Sequence, residues 1–357
     1  MKKITFPHMG NLWIAASAFF REMGLEVIVP PEMSARTLDL GVKYSPEFAC
    51  LPFKLNIGNF VQSLENGAET IIMGGGVGPC RFGYYGELQR EILLDNGYDF
   101  EIIILEPEIW GNIKKLKRLF GTLSLKKIKN AAKLAWLKIK VFHNMHSELV
   151  KNRPYEIEKG KIDQIYKNYL YKLDKTNSFE KIIKLDNEFR ENILCHLRKT
   201  NKYLPLRVGI VGEIYLVLES FINLQTEKRL GQLGVLTKRQ ISLKSWILNF
   251  LNFGDEHEKI IESAIPYLNS EIGGHGIDSV GNTVRFAKKG YDGIVQILPF
   301  TCMPEIVAGA VLPEIAHNED IAVLSLVFDE HTGEAGLQTR LEAFVDMISR
   351  KKERRVN

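Results

Sequence analysis

One segment of the chain joins a strand, a glycine-rich loop and a helix, and it constrains the fold more than any other feature. Residues 69–73 form a short, mostly apolar run that predicts a buried strand. Residues 74–80 follow with four glycines and a proline, and they end at Cys80. Residues 85–94 then place apolar side chains at helical spacing. The loop is therefore expected at the carboxyl end of a strand, where open α/β sheets bind ligands.

Strand and helix patterns alternate in both terminal parts of the chain. Strand patterns occupy residues 3–6, 26–29, 70–73, 101–105 and 321–328, and another begins at residue 294. Residues 206–215 predict a strand that runs into a loop with the Glu213 carboxylate at its mouth. Helical patterns occupy residues 12–23, 59–66, 85–95, 280–289 and 338–348, and the basic tail 351–355 is expected to fray. Such alternation predicts βαβ units. We expect an α/β fold with two Rossmann-like or flavodoxin-like lobes, mostly parallel sheets and a helical middle block.

The middle of the chain differs in composition from both ends. Residues 111–153 contain twelve Lys and Arg against one acid, at spacings typical of a basic amphipathic helix. We therefore place an N-terminal α/β lobe at 1–110, a basic helical insertion or cap at 111–204 and a C-terminal α/β lobe at 205–357. The basic stretch would suit an acidic partner surface, a phosphate-bearing substrate or nucleic acid, and equally an ordinary solvated helix face.

The sequence contains no pattern typical of a membrane or secreted protein. The most apolar candidate span, residues 208–224, is interrupted by Glu213 and Glu219. Four cysteines in 357 residues do not form a secreted disulfide framework. We expect a soluble, cytoplasmic protein with no membrane partner. The net charge of +4 does not by itself indicate a polyanionic partner, and no nucleic-acid partner is predicted.

Three of the four cysteines lie in loops that contain proline. A proline follows Cys50 and Cys302 by two residues and precedes Cys80 by one. Three unrelated buried thiols would have no need of such loops, so the pattern favours metal or redox chemistry. We expect all three at the carboxyl ends of strands. Cys195 lacks this setting, and an inert thiol on a helix face is expected there.

A second glycine-rich turn lies in the C-terminal part, at residues 273–281. Its backbone N–H groups could face an anion or a cluster. A plain helix N-cap at Asp278 or Ser279 would explain the same residues. The separate G-x-x-G at residues 209–212 does not complete a dinucleotide-binding fingerprint.

At Cys50, Cys80 and Cys302, taken with residues 273–281 and 328–336, the chain resembles a known superfamily. This is the group of 2-hydroxyacyl-CoA dehydratase and benzoyl-CoA reductase iron–sulfur subunits, and in particular its acyl-CoA dehydratase activase-related branch. The resemblance covers most of the two α/β parts. In that superfamily three cysteines of one chain hold a [4Fe–4S] cluster, and a separate ATP-dependent activator of the sugar kinase/actin type supplies low-potential electrons.

The resemblance implies a set of site residues in this chain. The implied metal ligands are Cys50, Cys80 and Cys302. The glycines implied to lie against the cluster are Gly75, Gly76, Gly78, Gly274 and Gly276. Three protein thiolates would leave one iron of a cubane for water or substrate. No catalytic residue is assigned.

The implied function is the reduction or dehydration of an acyl-CoA-type substrate, by a lyase or as an ATP-dependent reductase component. The chain has no phosphate-binding loop and no kinase or actin motif, so it would depend on a separate activator. Two alternatives remain open: a non-catalytic electron-relay or accessory subunit, and a zinc-containing or metal-free small-molecule binding protein. A homodimer or heterodimer would agree with any of the three.

Overall fold

A computed structural model describes residues 2–76, 78–106, 109–121, 124–198, 204–250 and 255–356. The chain divides into two compact units. The first contains Met1–Lys140 and Leu173–Ile182, and the second contains Val141–Lys172 and Ile183–Asn357. No helix that the structure describes combines the length and the apolar character needed to cross a membrane.

The helices and strands alternate in both terminal parts of the chain. The strands are β1 (Lys3–Thr5), β2 (Glu26–Val27), β3 (Thr70–Gly74), β4 (Glu101–Leu105), β5 (Leu206–Gly212), β6 (Val235–Arg239), β7 (Gly293–Pro299) and β8 (Ala322–Phe328). The helices are α1 (Leu12–Glu22), α2 (Ala35–Tyr44), α3 (Leu51–Glu65), α4 (Phe82–Asp95), α5 (Ile109–Phe120), α6 (Leu125–Asn152), α7 (Lys161–Lys175), α8 (Phe179–Leu194), α9 (Ile214–Leu218), α10 (Thr226–Gln232), α11 (Leu243–Phe250), α12 (Glu256–Ala264), α13 (Gly276–Lys288), α14 (Met303–Asn318) and α15 (Glu334–Val356). A short 3₁₀ helix spans Arg153–Tyr155.

Each unit contains one four-stranded parallel sheet, and the two sheets have the same strand order. The first sheet runs β2-β1-β3-β4 and the second β6-β5-β7-β8. In each sheet the strand that comes first in sequence therefore lies between the second and the third. This order places a topological switch point beside β1 and β3 in one sheet and beside β5 and β7 in the other, and ligands bind at such points. The predicted α/β fold with mostly parallel sheets is confirmed.

The first unit is built on an unusually close pair of helices. Side chains added at Gly41 of α2 or Gly58 of α3 would overlap the backbone carbonyls of Lys54 and Thr37 respectively. Only glycine permits this approach of two helix backbones. Thirteen consecutive residues of α3, from Leu51 to Ser63, are buried. The position of α3, and of the cysteine that precedes it, is therefore fixed by packing along its whole length.

Several elements differ from their predicted bounds. Helix α2 and strand β6 were not predicted. Helix α3 begins at Leu51 instead of near residue 59, because Pro52 occupies its first turn, where proline is tolerated. Strand β5 ends at Gly212, whose φ is +139°, and Glu213 follows as the N-cap of α9, where a loop was predicted. The tail 351–355, expected to fray, continues α15.

The middle block is helical, as predicted. Within the described part of residues 111–204 the only extended pairing is a single bridge between Glu156 and Leu197. Helix α6 is continuous across the division between the units, which falls after Lys140. Buried Lys138 of α6 donates to the Asp174 carbonyl oxygen at 2.8 Å and to Asn177 Oδ1 at 3.1 Å. These bonds attach the N-terminal part of α6 to the end of α7 within the first unit.

Candidate functional site

In the first unit, Cys80 lies in the loop that joins β3 to α4. The Cys80 carbonyl oxygen accepts a hydrogen bond from the Gly83 N–H at 3.3 Å, and Cys80 itself is half-buried. Gly78 has a φ of +116°, a conformation that only glycine adopts readily. Val77 lies outside the described residues. The structure therefore places Cys80 where the sequence predicted it, after a strand and before a helix.

The neighbouring glycines of this loop make room for other groups. A Cβ added at Gly75 would lie 2.5 Å from the Glu106 carboxylate, and one added at Gly83 would lie 2.6 Å from the Gly76 carbonyl oxygen. Glu106 is held by Asn112, whose Oδ1 accepts from the Glu106 N–H at 2.9 Å. Gly83 is thus required for packing of the loop against the Gly76 backbone, and a side chain at Gly75 would displace the Glu106 carboxylate. Contact of Gly75 and Gly76 with a cluster stays a prediction.

Cys50 occupies the N-cap of α3, in extended conformation. Its sulfur contacts the hydroxyl of Tyr85 on α4, and Arg81 Nη1 donates to the Phe48 carbonyl oxygen at 3.2 Å. These two contacts join the start of α3 to the segment that follows Cys80. Cys50 is preceded by α2 and not by a strand, so its predicted place directly after a strand is wrong. Because α3 leads back into β3, its first turn nevertheless lies at the carboxyl edge of the sheet.

In the second unit, Cys302 follows β7 and is the N-cap of α14. Its N–H donates to the Pro299 carbonyl oxygen at 3.1 Å, and Pro304 lies in the first turn of the helix. The preceding Thr301 has a φ of +66°, which turns the chain sharply from strand to helix. Since β3 and β7 are the third strands of sheets with the same order, Cys80 and Cys302 hold equivalent topological places.

The chemistry of these positions fits an iron–sulfur cluster. Cys50 and Cys302 are the N-caps of α3 and α14, Cys80 lies one residue before the N-cap of α4, and none of the three N-caps makes a side-chain cap hydrogen bond. The dipole and first-turn N–H groups of a helix stabilise negative charge such as that of a thiolate. Thiolates are the soft ligands that iron–sulfur clusters take. Within the described residues, no group of three or more His, Cys, Asp or Glu side chains is arranged to hold a single metal ion.

Cys195 differs from the other three cysteines in its surroundings. It lies one residue beyond the end of α8, is exposed, and its sulfur donates to the Glu191 carbonyl oxygen at 3.7 Å. No glycine or proline loop surrounds it. Its position at a helix end, and not on an apolar helix face, leaves it open to solvent.

The glycine-rich turn at residues 273–281 packs against the helix that Cys302 begins. A Cβ added at Gly276 would lie 2.6 Å from the Pro304 carbonyl oxygen, and Gly274 has a φ of +54°. The structure therefore brings Gly276 and Cys302 into one region of the second unit. The alternative of an N-cap at Asp278 or Ser279 is wrong, because α13 begins at Gly276 with His275 as its N-cap.

A buried carboxylate that the sequence analysis did not identify lies one turn into α14. Glu305 is 1% exposed; its Oε1 accepts from Ser279 Oγ at 2.9 Å and its Oε2 from Gln296 Nε2 at 3.0 Å. Burial raises the pKa of Glu305 to about 7, although the bonds from Gln296 and Ser279 oppose the shift. The sequence signal was Gln296, a polar residue inside an otherwise apolar strand whose residues are all buried.

A second buried carboxylate, Glu213, directly follows β5. Its oxygens accept from the N–H groups of Tyr215 and Leu216, both at 3.0 Å, and so cap α9. Burial raises the pKa of Glu213, and these two N–H groups and the charge of His275 only partly oppose the effect. Glu213 therefore lies on the β5 side of the switch point and Cys302 on the β7 side.

Two histidines flank Asp278 in the same unit. His275 Nδ1 lies 3.1 Å from Asp278 Oδ2, and His257 Nδ1 lies 3.3 Å from Asp278 Oδ1. Burial would lower the pKa of His275, but Asp278, Glu213 and Glu305 outweigh it and raise that pKa. Contact with Asp278 likewise raises the pKa of His257 against the effect of burial. Both imidazoles are therefore held toward the protonated form.

Comparison with known proteins adds one family match. Residues 8–73 match the family model described as a CoA enzyme activase uncharacterised domain (DUF2229). The matched segment runs from the loop before α1 into β3, and it contains Cys50 but neither Cys80 nor Cys302. No curated protein matches the chain. In this segment the chain is thus similar to the CoA enzyme activase domain, which supports the activase-related branch of the resemblance.

Proposed function

We propose that the chain is an iron–sulfur protein in which Cys50, Cys80 and Cys302 hold one [4Fe–4S] cluster. The observation that carries the proposal is that Cys50 and Cys302 are helix N-caps and Cys80 lies one residue before an N-cap, each at the carboxyl edge of the parallel sheet of its own unit. When bound, the cluster would supply low-potential one-electron chemistry and one iron not ligated by protein.

The chain's own residues would prepare the site in two ways. Cys50 and Cys302 are the N-caps of α3 and α14, at the helix ends where the first-turn N–H groups have no intrahelical partner. The partial positive charge of these helix ends favours the thiolate form of a cysteine. The Tyr85 hydroxyl contacts the Cys50 sulfur and would donate to it as a thiolate. Hydrogen bonds to ligand sulfurs are a means by which a protein adjusts a cluster potential.

Glu305 is the chain's candidate for holding a proton near this site. Its carboxyl group lies three residues after Cys302 and is buried. With a pKa of about 7 it is partly protonated at neutral pH, whereas an exposed glutamate would be ionised. A group that can keep or release a proton near neutral pH is suited to general acid–base work.

The partner and the substrate are proposed from the sequence resemblance, and the family match over residues 8–73 supports only its activase-related part. A CoA enzyme activase-like segment suggests a role with acyl-CoA dehydratases. We propose that an ATP-dependent activator of the sugar kinase/actin type delivers electrons, and that the substrate is an acyl-CoA-type thioester. The chain would then be reduced before it acts on substrate.

Anaerobic purification with metal and sulfide analysis tests the cluster. The proposal predicts a brown protein with about four iron and about four sulfide per chain. About one zinc per chain without sulfide, or no metal, would contradict it and favour the zinc-containing or metal-free alternative. Turnover of an acyl-CoA with activator and ATP would then separate catalysis from electron relay.

A further inference from the structure

The second unit contains a cavity of about 500 Å³ that the cluster proposal does not use. It opens beside the end of β6 and is lined by residues of α11, α12 and α13 and of the turn before α13. Its volume falls in the range of small-molecule sites, roughly 300–1,000 Å³. It lies at the carboxyl end of the edge strand β6, on the side of the sheet where α/β proteins bind ligands.

The cavity wall carries an excess of positive charge. Two of its cations are neutralised: Arg239 Nη2 lies 2.6 Å from Glu227 Oε2, and Arg285 Nη2 lies 2.7 Å from Glu256 Oε1. Two further cations, Lys238 and Lys289, also line the cavity, and neither forms an ion pair with a carboxylate among the described residues. The charge of these two lysines is therefore available to an anionic ligand.

Two acids line the cavity: Glu256, which is paired with Arg285, and Asp278, which is paired with two histidines. Asp278 lies between His257 and His275, at 3.3 and 3.1 Å from their Nδ1 atoms. Protonated imidazoles would cancel this carboxylate and add further positive charge. An anion entering the cavity would thus meet little repulsion from Asp278.

The rest of the wall is apolar and aromatic. Trp246 of α11 lines the cavity and is 38% exposed, while Phe286 and Ile260, which also line it, are buried. An exposed indole offers a flat surface on which a planar ring can stack. A purely inorganic anion would leave this part of the cavity unused.

We propose that this cavity binds a phosphorylated nucleoside, with its phosphates at Lys238 and Lys289 and its base against Trp246. A free nucleotide and the nucleotide part of a CoA thioester share this chemistry. The site is separate from the cysteine ligands, so it stands whether or not the chain holds a cluster.

Isothermal titration calorimetry on the full-length protein tests the site, with ADP, CoA, adenosine and inorganic phosphate as probes. The proposal predicts that ADP or CoA binds at least about tenfold more tightly than adenosine or phosphate. Only ADP and CoA carry both phosphates for the two lysines and a base that can stack on Trp246. Tighter binding of ADP indicates a free nucleotide, and tighter binding of CoA indicates the thioester source. Failure of both ADP and CoA to bind would overturn the proposal.

A pair of adjacent lysines provides a matched control. Lys289→Glu should weaken binding at least about tenfold, whereas Lys288→Glu, at an exposed position of α13 outside the cavity, should bind as wild type. Lys238→Glu and Trp246→Leu should each weaken binding as well. Equal affinities of Lys289→Glu and wild type would overturn the proposal. Because none of these residues is a thiol, iron content should be the same in all variants, which separates this test from that of the cluster.

Discussion

The Cys50 sulfur contacts the Tyr85 hydroxyl, and this pair links the N-terminus of α3 to α4, the helix that follows Cys80. Tyr85 is 7% exposed, and its ring packs edge-on against Phe53 of α3 with centroids 4.9 Å apart. The contact therefore sits in a closely packed part of the first unit. It connects two of the three proposed ligand segments.

Removal of this hydroxyl should destabilise the protein measurably. We expect Tyr85→Phe to lower the free energy of unfolding by about 1 kcal/mol, because one buried hydrogen bond is lost and the ring is kept. The adjacent Tyr84 is 79% exposed, and Tyr84→Phe should change stability by less than about 0.5 kcal/mol. Denaturant titration of both variants measures the difference, and equal stabilities would contradict the role of the contact.

The close approach of α2 and α3 gives a second prediction. Gly58→Ala should destabilise the protein by about 1–3 kcal/mol, because its methyl group would overlap the Thr37 carbonyl oxygen. Gly336→Ala in α15 should instead be neutral or stabilising by about 0.5–1 kcal/mol, since nothing lies within 4 Å of its added Cβ. Thermal unfolding distinguishes the two, and similar shifts in both variants would show that the helices can separate.

Glu305 should make the stability depend on pH. Its folded pKa of about 7 lies above the ordinary value of 4.5, so the folded state binds more protons between these values. Stability should therefore fall as pH rises from about 4.5 to about 7, by up to about 3 kcal/mol. Glu305→Gln should reduce this fall, because the raised pKa values of Glu213 and His275 still contribute to it, and Glu314→Gln, at an exposed position of the same helix, should leave it unchanged. Denaturation near pH 5 and pH 8 checks the slope, and an unchanged slope in Glu305→Gln would refute the assignment.

Lys138 should act in the opposite pH direction. Burial lowers its pKa from 10.5 to about 8, and the charge of Asp174 only partly restores it. The unfolded state then binds more protons between about pH 8 and 10.5, so stability should rise with pH across this window. Lys138→Met should lose that rise, whereas Lys133→Met at an exposed position of α6 should retain it. Denaturant titrations at about pH 8 and about pH 10.5 measure the free energy of unfolding of both variants.

The sequence predicted the sheets because their strands are apolar runs bounded by turn residues. The sequence did not predict β6, because this short edge strand ends in the charged residues Lys238 and Arg239 and only part of its residues are buried. It also treated the segment around Cys50 as a loop on account of Pro52, although proline is common in the first turn of a helix. Most strands and helices could therefore be predicted, whereas the residues at which they begin and end near the cysteines could not.

The site was predicted only in part, for a related reason. Cys80 and Cys302 were identifiable because glycine and proline mark the turn from a strand to a helix. The burial of Glu305 depends on Ser279 and Gln296, which lie 26 and 9 residues away in sequence and meet it only through tertiary packing. No local pattern distinguishes that glutamate from an ordinary acid in a first helical turn.

The central claim concerns which thiols hold iron, and four single variants test it under one anaerobic purification protocol. Cys50→Ser, Cys80→Ser and Cys302→Ser should each lose most of the bound iron and sulfide, because a hydroxyl is a poor substitute for a soft thiolate. Cys195→Ser should retain the wild-type content, since its exposed sulfur lies at the end of α8 without a glycine or proline loop. Iron loss in Cys195→Ser equal to that in the other three, or full iron retention in Cys302→Ser, would contradict the account.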